Sequence, residues 1–331
     1  MRSVSIAQVA EHAGVSVATV SRVLTGKQPV KEPTRARVAA SIQAMGYRVN
    51  HLARSLRTDE SRLLLIMVPD IGNPFYAQIV QGIDGVMQDR GYSLLLCETG
   101  GDANRERRYF DLLEARRADG AICLDPDTVQ QALHEQGMGF PWVACCEFDS
   151  QVAVPYVGID NRTAAHEATS YLISKGHTRI AFVNSDTRFM YARERLHGYA
   201  DALAQANIAL EPDHCLAVDS LDFSAGKRAA GTLLALAQRP TAVFAVSDTL
   251  AIGVIRGLHD AGLRVPQDMA VLGFDDIALA EQTCPALSTV RQPMRALGEQ
   301  AAHLLLKQLD DPGTPAAGVV LPHRLVLRES A

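Results

Sequence analysis

"SIAQVAEHAGVSVATVSRVL", residues 5–24, reads as two helices broken by a glycine. Ser5 and Gln8 have the spacing of a capping box, a hydroxyl at the N-cap and an amide three residues on. Ile6, Val9, Ala10 and Ala13 then recur at helical spacing and form one apolar stripe. Gly14 stands where a helix ends in the left-handed conformation. Ser16 restarts a helix two residues later, which makes a helix-turn-helix pattern. In the second helix Val20, Val23 and Leu24 fall toward one side, and Val17, Ala18, Ser21 and Arg22 toward the other. The latter face carries neither Lys nor Glu, unlike an ordinary solvated face. Further along, Pro33 suits the first turn of a third helix. Val38, Ala39, Ile42 and Met45 give that helix an apolar face, and Gly46 ends it. Three short helices make a compact all-α head.

The charge distribution says what such a head meets. Residues 1–62 hold ten Lys or Arg against four Asp or Glu, a net +6. The whole chain is −5, which leaves −11 for the remainder. A basic head on an acidic body fits a polyanion-binding module joined to something else. The second helix of a helix-turn-helix lies in the DNA major groove with its first residues at the base edges. Arg22 suits a bidentate contact to guanine, and Val17 and Ala18 suit thymine methyls. Ser16, Thr19 and Thr34, near helix starts, suit phosphate. The alternative, that Val17 and Ala18 belong to the head's own core, conflicts with their opposition to Val20 and Leu24. After the head, "NHLARSLR" at residues 50–57 is too short for a stable free helix. It carries Leu52, Ala53 and Leu56 at near-helical spacing, beside Asn50, Arg54 and Arg57. A linker turn and a leucine wedge between base steps both stay open on these residues.

The body has the length for more than one lobe. Hydrophobic residues are 47% of the 331-residue chain and charged residues 21%, an ordinary globular balance. The longest strongly apolar run, Leu63–Val68, is far too short to span a bilayer. No apolar signal region follows Met1, so a cytoplasmic protein is expected. The six cysteines show neither C-x-x-C nor metal spacing, and reduced core thiols are expected. Strands are predicted at 63–68, 93–97, 120–124, 142–146, 179–183, 214–218, 242–246 and 270–273. Helices are predicted between them at 76–90, 104–116, 162–175, 192–206, 225–237 and 249–261. That alternation means parallel sheets with helices on their faces. A partial echo, "RLLLIMVPD…GIDGVMQDRGY" and "TRIAFVNSD…GYADALAQANI", points to two similar α/β lobes with a cleft between them.

Ligands of open α/β sheets sit at the carboxyl ends of strands. Phe75, Tyr76, Glu147, Asp160, Arg195, Phe223, Ser247 and Asp275 fall there. Carboxylates accept from vicinal hydroxyls, arginine donates to oxygens, and aromatic rings stack on a sugar or base. Competing uses are a core position for Phe75, a surface ion pair for Arg195, and a helix N-cap for Asp248, the last being favoured.

"SIAQVAEHAGVSVATVSRVL" followed by "GYRVNHLARSLR" resembles the headpiece and hinge of the LacI/GalR transcription regulators. The resemblance continues through "RERLHGY", "SDTLAIG" and "LGFDD" along essentially the whole chain. It implies a head over 1–48, a hinge helix and linker over 49–60, and an effector and dimerisation domain over 61–331. That domain would have the two-lobed fold of type I periplasmic binding proteins, crossing between lobes near Asp160, Gln292 and Pro322. It also implies homodimeric binding to double-stranded operator DNA, with Leu56 inserted at the operator centre. Many relatives carry an aromatic or larger polar pair where this chain has Val17-Ala18, so a different half-site is expected. Arg195 and Asp275 match effector-binding positions of the family. "ESRLLLIMVPDIGNPFYAQIVQGID" and Glu147-Phe148 look most like the cytidine-type nucleoside regulators. The expected effector is a nucleoside or pentose, with another sugar or a purine as the alternative. No cofactor, metal or membrane partner is expected. The body alone would also suit a transport-linked sugar-binding protein, which the basic head opposes. An enzyme is disfavoured because no G-x-G-x-x-G, P-loop or metal cluster appears. No heptad repeat occupies residues 328–331, so a dimer is expected over a tetramer.

Overall fold

The computed structural model describes residues 4–25, 29–47, 60–124, 140–148 and 154–331. The chain divides into two compact units, Met1–Ser61 and Arg62–Ala331.

The head contains α1 (Ile6–Ala13), α2 (Val17–Thr25) and α3 (Glu32–Met45). The capping box is formed: the Ser5 N–H donates to Gln8 Oε1 at 2.8 Å, and the Gln8 N–H donates to Ser5 Oγ at 3.3 Å. Gly14 ends α1 at φ +61, a conformation that a Cβ would strain. Val9, Ala10, Ala13, Val20 and Val38 form the core, with Ile6, Val23, Leu24, Ile42 and Met45 packed against it. The face of α3 differs from the expected one: Ala39 is exposed and Ser41 is buried. Ser41 lies three residues from Val38 and so shares its face. Its hydroxyl donates to the Arg37 carbonyl at 2.9 Å and meets His12 Nδ1 at 3.0 Å, so this buried polar group is satisfied.

The body holds two six-stranded sheets. The first contains β1 (Leu63–Val68), β2 (Ser93–Glu98), β3 (Gly120–Cys123), β4 (Trp142–Cys145), β5 (Tyr156–Ile159) and β11 (Gly318–Leu321). Its order is β11-β5-β4-β3-β1-β2. The second contains β6 (Ile180–Asn184), β7 (Cys215–Ala217), β8 (Ala242–Ala245), β9 (Ala270–Asp275), β10 (Ser288–Arg291) and β12 (Arg324–Val326). Its order is β12-β10-β9-β8-β6-β7. Pairing is parallel throughout except between β10 and β12. The chain leaves the first sheet after Ile159, returns after Arg291, and leaves again after Leu321. Those crossings coincide with the expected ones near Asp160, Gln292 and Pro322.

β5, β10, β11 and β12 lie outside the predicted strands. Each has only three or four residues, as do the predicted β3, β4, β7 and β8. Pairing with neighbouring strands makes them strands.

Helices α4 (Pro74–Asp89) and α5 (Ala103–Glu114) accompany the first sheet. α6 (Asn161–Ser174), α7 (Met190–Gln205), α8 (Phe223–Ala235) and α9 (Asp248–Asp260) belong to the second, and α10 (Met294–Asp310) packs on α4. α4 and α10 cross at Gly82 and Gly298, where backbone touches backbone. A Cβ on Gly298 would stand 2.0 Å from the Ile79 carbonyl oxygen. Gly298→Ala must therefore push the helices apart, at a cost of about 1–3 kcal/mol. Urea denaturation checks this; an unchanged midpoint refutes it.

Candidate functional site

A cavity lies at the carboxyl ends of both sheets. From the first sheet come Asn73, Phe75 and Tyr76 after β1, Leu124 after β3, Cys146 and Glu147 after β4, and Ile159. From the second lobe come Asn161, Tyr191, Arg195, Leu221, Val246, Ser247, Asp275 and Gln292. Asn73 caps α4, its side chain accepting from the Phe75 N–H at 3.0 Å. That cap seats Phe75 edge-on to Tyr76, with centroids 5.1 Å apart.

Arg195 is the buried cation of this cavity. Its Nε donates to Asn161 Oδ1 at 2.9 Å and its Nη1 donates to the Val246 carbonyl. The guanidinium lies 3.5 Å from the Phe274 ring centroid and 5.1 Å from that of Tyr191, which favours a desolvated cation. Asp275 is the buried anion. Gln292 Nε2 donates to its Oδ1 at 2.8 Å. Asp275 and Asp276 have φ +124 and +62, conformations that cost of order 1–3 kcal/mol each. The surrounding bonds hold that turn. The Ile277 N–H donates to Asp248 Oδ2 at 2.9 Å, and Arg328 Nη2 donates to Asp276 Oδ1 at 2.7 Å. Arg291 also pairs with Asp276.

The expected cap role of Asp248 is corrected. Ser247 is the N-cap of α9, accepting from the Leu250 N–H at 3.3 Å. Asp248 is fully buried and accepts from Thr289 Oγ1 as well as Ile277. It supports the turn that carries Asp275.

Burial holds three carboxyls above their ordinary values. Asp248 is raised by burial and by the charge of Asp275. Asp275 is raised by burial, against the pull of Arg195 and Gln292. Glu147 is pushed up to about 7 by burial, against bonds from the Tyr191 and Met190 N–H groups. Each folded value exceeds the unfolded one, so folding takes up protons. Their contribution to stability is complete below the unfolded values and is lost as pH rises through neutrality. We expect urea stability to fall between pH 5 and 8 on this account. Asp248→Asn keeps an acceptor for Ile277 and removes one buried charge. It should flatten that profile and raise stability at the alkaline end; an unaltered profile refutes the assignment.

Phe75, Tyr76, Glu147, Arg195, Ser247 and Asp275 thus line one cavity, whereas two other expected residues lie elsewhere. Asp160 is the N-cap of α6, accepting from the Thr163 N–H at 2.9 Å and from its hydroxyl at 2.7 Å. Its neighbour Asn161 lines the cavity instead. Phe223 begins α8 and is 44% exposed on the outer surface near Ile252 and Leu279. Leu221 stands at the cavity in its place. Tyr191 and Gln292 were not singled out as site residues. Their signal was position alone, since Tyr191 lies one helical turn before Arg195 and Gln292 lies at a lobe crossing.

In the head, Val17 is 40% exposed, and Ala18 and Arg22 are exposed beside half-buried Ser21 and Thr19. Ser16 Oγ accepts from the Thr19 N–H at 3.2 Å and meets Thr19 Oγ1 at 2.9 Å, so it caps the start of α2. Thr34 is half-buried in the first turn of α3. Asn50, Ala53, Leu56 and Arg57 lie outside the described residues. Among the described residues no group of three or more His, Cys, Asp or Glu could hold a metal ion. No helix among them is long and apolar enough to cross a membrane.

Residues 5–50 match the family of bacterial regulatory proteins called the lacI family, and residues 169–331 match the periplasmic binding protein-like domain. The chain is 37% identical to the ribose operon repressor of Escherichia coli K12, over 98% of each chain. It is 35% identical to the transcriptional repressor CytR of the same strain, over 97% of this chain and 94% of that one. Among solved structures, the Lac repressor dimer bound to operator and an anti-inducer superposes with a TM-score of 0.88. That likeness has 27% identity and covers 99% of both chains. A LacI family regulator from Enterococcus faecium with bound ribose gives a TM-score of 0.73 at 28% identity, covering 81% of this chain and 98% of that one.

Proposed function

The chain belongs to the lacI family of bacterial regulatory proteins; it is a DNA-binding transcriptional regulator and not an enzyme, and from that premise we propose that it is a homodimeric cytoplasmic repressor switched by a pentose or a pentose nucleoside. The observation that carries the effector class is the buried pair Arg195 and Asp275 in one cavity with Phe75 and Tyr76. Asp275 accepts from vicinal hydroxyls, Arg195 donates to ring or hydroxyl oxygens, and the aromatic edge packs on the apolar face of the ligand. Ribose in the Enterococcus faecium relative and the names of the two repressors favour the pentose class.

Val17, Ala18, Ser21 and Arg22 read base edges in this proposal, and Ser16, Thr19 and Thr34 approach phosphates. Leu56 is the minor-groove wedge, with Asn50, Ala53 and Arg57 beside it. Two apolar patches support the dimer. Leu95 and Leu96 are exposed on the edge strand β2, and Phe223 and Leu279 are exposed on the second lobe.

Thermal unfolding with D-ribose, cytidine, adenosine, D-glucose or adenine tests the effector class, because a ligand that binds only folded protein raises Tm. A shift with ribose or a nucleoside is expected. A shift confined to glucose or adenine overturns the class. Anisotropy with DNA from upstream of the protein's own gene tests the reader across salt. Steep salt dependence is expected, and no binding at roughly 50 mM salt overturns the DNA reading.

A further inference from the structure

Glu147 stands at the cavity, yet both of its carboxylate oxygens are occupied by protein. Met190 donates its backbone N–H to Oε2 at 2.7 Å, and Tyr191 donates its own to Oε1 at 2.9 Å. These are the first two residues of α7, whose first N–H groups have no partner within the helix. Phe189 occupies the N-cap of α7 with capping backbone angles, φ −73 and ψ 137, but its side chain makes no cap hydrogen bond. A phenyl ring cannot accept such a bond as Ser, Thr, Asp or Asn would. The cap of α7 therefore comes from residue 147, on the opposite lobe.

The mount of Glu147 is rigid. The Cys146 N–H donates to the Val157 carbonyl of β5 at 2.8 Å, and Cys146 turns the chain at φ +73. Phe148 stacks on Tyr156 of β5 with centroids 3.9 Å apart and planes 13° apart. Both neighbours of Glu147 are thus fixed to the first sheet, while its carboxylate ends on a helix of the second lobe. That helix carries Tyr191 and Arg195 to the cavity wall.

We propose that Glu147 is an interlobe latch: by capping α7 across the cleft it holds the two lobes closed and positions Tyr191 and Arg195 over the cavity. Its role is to position, with no direct bond to effector. Both hydrogen bonds of the latch join protein groups, so it does not depend on which effector class is correct.

The test uses full-length protein without effector or DNA. In Glu147→Ala the Met190 and Tyr191 amides should exchange with deuterium roughly tenfold faster or more, as for loss of a hydrogen bond to a charged group. The radius of gyration from small-angle X-ray scattering should rise as the lobes part. Adding Phe189→Ser supplies a cap within the second lobe. The double variant should recover slow exchange at Tyr191 and remain expanded. If Glu147→Ala leaves exchange and radius unchanged, the latch is overturned. It is equally overturned if Phe189→Ser restores the compact radius, since a local cap would then suffice. Should the alanine variant not fold, Glu147→Gln retains one acceptor and must shift both readouts in the same direction by less; no shift overturns the proposal.

Discussion

Arg195→Ala is expected to abolish effector-dependent release of DNA and to destabilise the body by about 1–3 kcal/mol, the range for leaving a buried hydrogen-bond partner unsatisfied. The side chain is buried, donates from Nε to Asn161 and from Nη1 to the Val246 carbonyl, and packs on the faces of Phe274 and Tyr191. Its charge also pulls the Asp275 carboxyl down against the effect of burial. Without it Asp275 retains its proton to higher pH and loses acceptor strength toward a ligand hydroxyl. The variant therefore removes a donor and weakens an acceptor together. Arg195→Lys keeps the charge but cannot supply the planar fork or the ring stacking, so it should recover part of the stability and little of the response. Urea denaturation and DNA release by D-ribose or cytidine measure the two effects. Normal release by Arg195→Ala would show that the effector sits elsewhere.

Arg22→Ala should cost about 1–3 kcal/mol in affinity for the specific operator, if Arg22 reads a guanine. Nonspecific DNA should be affected much less, because one cation among many is removed and the salt slope changes by about 1. The diagnostic quantity is the ratio of specific to nonspecific affinity at one salt concentration. Equal loss on both DNAs would make Arg22 a phosphate contact. Val17 and Ala18 share that exposed face of α2, so substitutions there should change which half-site is preferred more than they change nonspecific affinity.

The head was legible residue by residue because its signals are local. The Ser5–Gln8 box, Gly14, Pro33 and Gly46 act over three or four positions, and the apolar stripe of α1 needs only the helical period. The one departure, Ser41 buried where Ala39 was expected, depends on His12 from another helix. In the body the long strands and helices α4 to α9 were legible for the same reason, whereas α10 (Met294–Asp310) lies outside the predicted helices. β5, β10, β11 and β12 were not, since their pairing with neighbouring strands defines them.

At the cavity the difficulty is different. Strand ends need polar residues both to cap the next helix and to face a ligand, and the residue types coincide. Asp160 caps α6 while Asn161 faces the cavity, Ser247 both caps α9 and faces the cavity while Asp248 is buried behind it, and Leu221 faces the cavity in place of Phe223. One residue of displacement rotates a side chain by about 100° at a helix start, enough to move it from the wall to the surface.

The sequence by itself determined the three helices of the head, the α/β alternation and the two lobes, because these follow from short-range pattern, and its family resemblance implied the three crossings. Tertiary structure decided which polar side chain enters the cavity, which carboxyls are pushed above their ordinary values, and what caps α7. Those outcomes depend on burial and on partners far apart in the chain, such as Glu147 and Met190, 43 residues away. No local spacing encodes a hydrogen bond between two lobes.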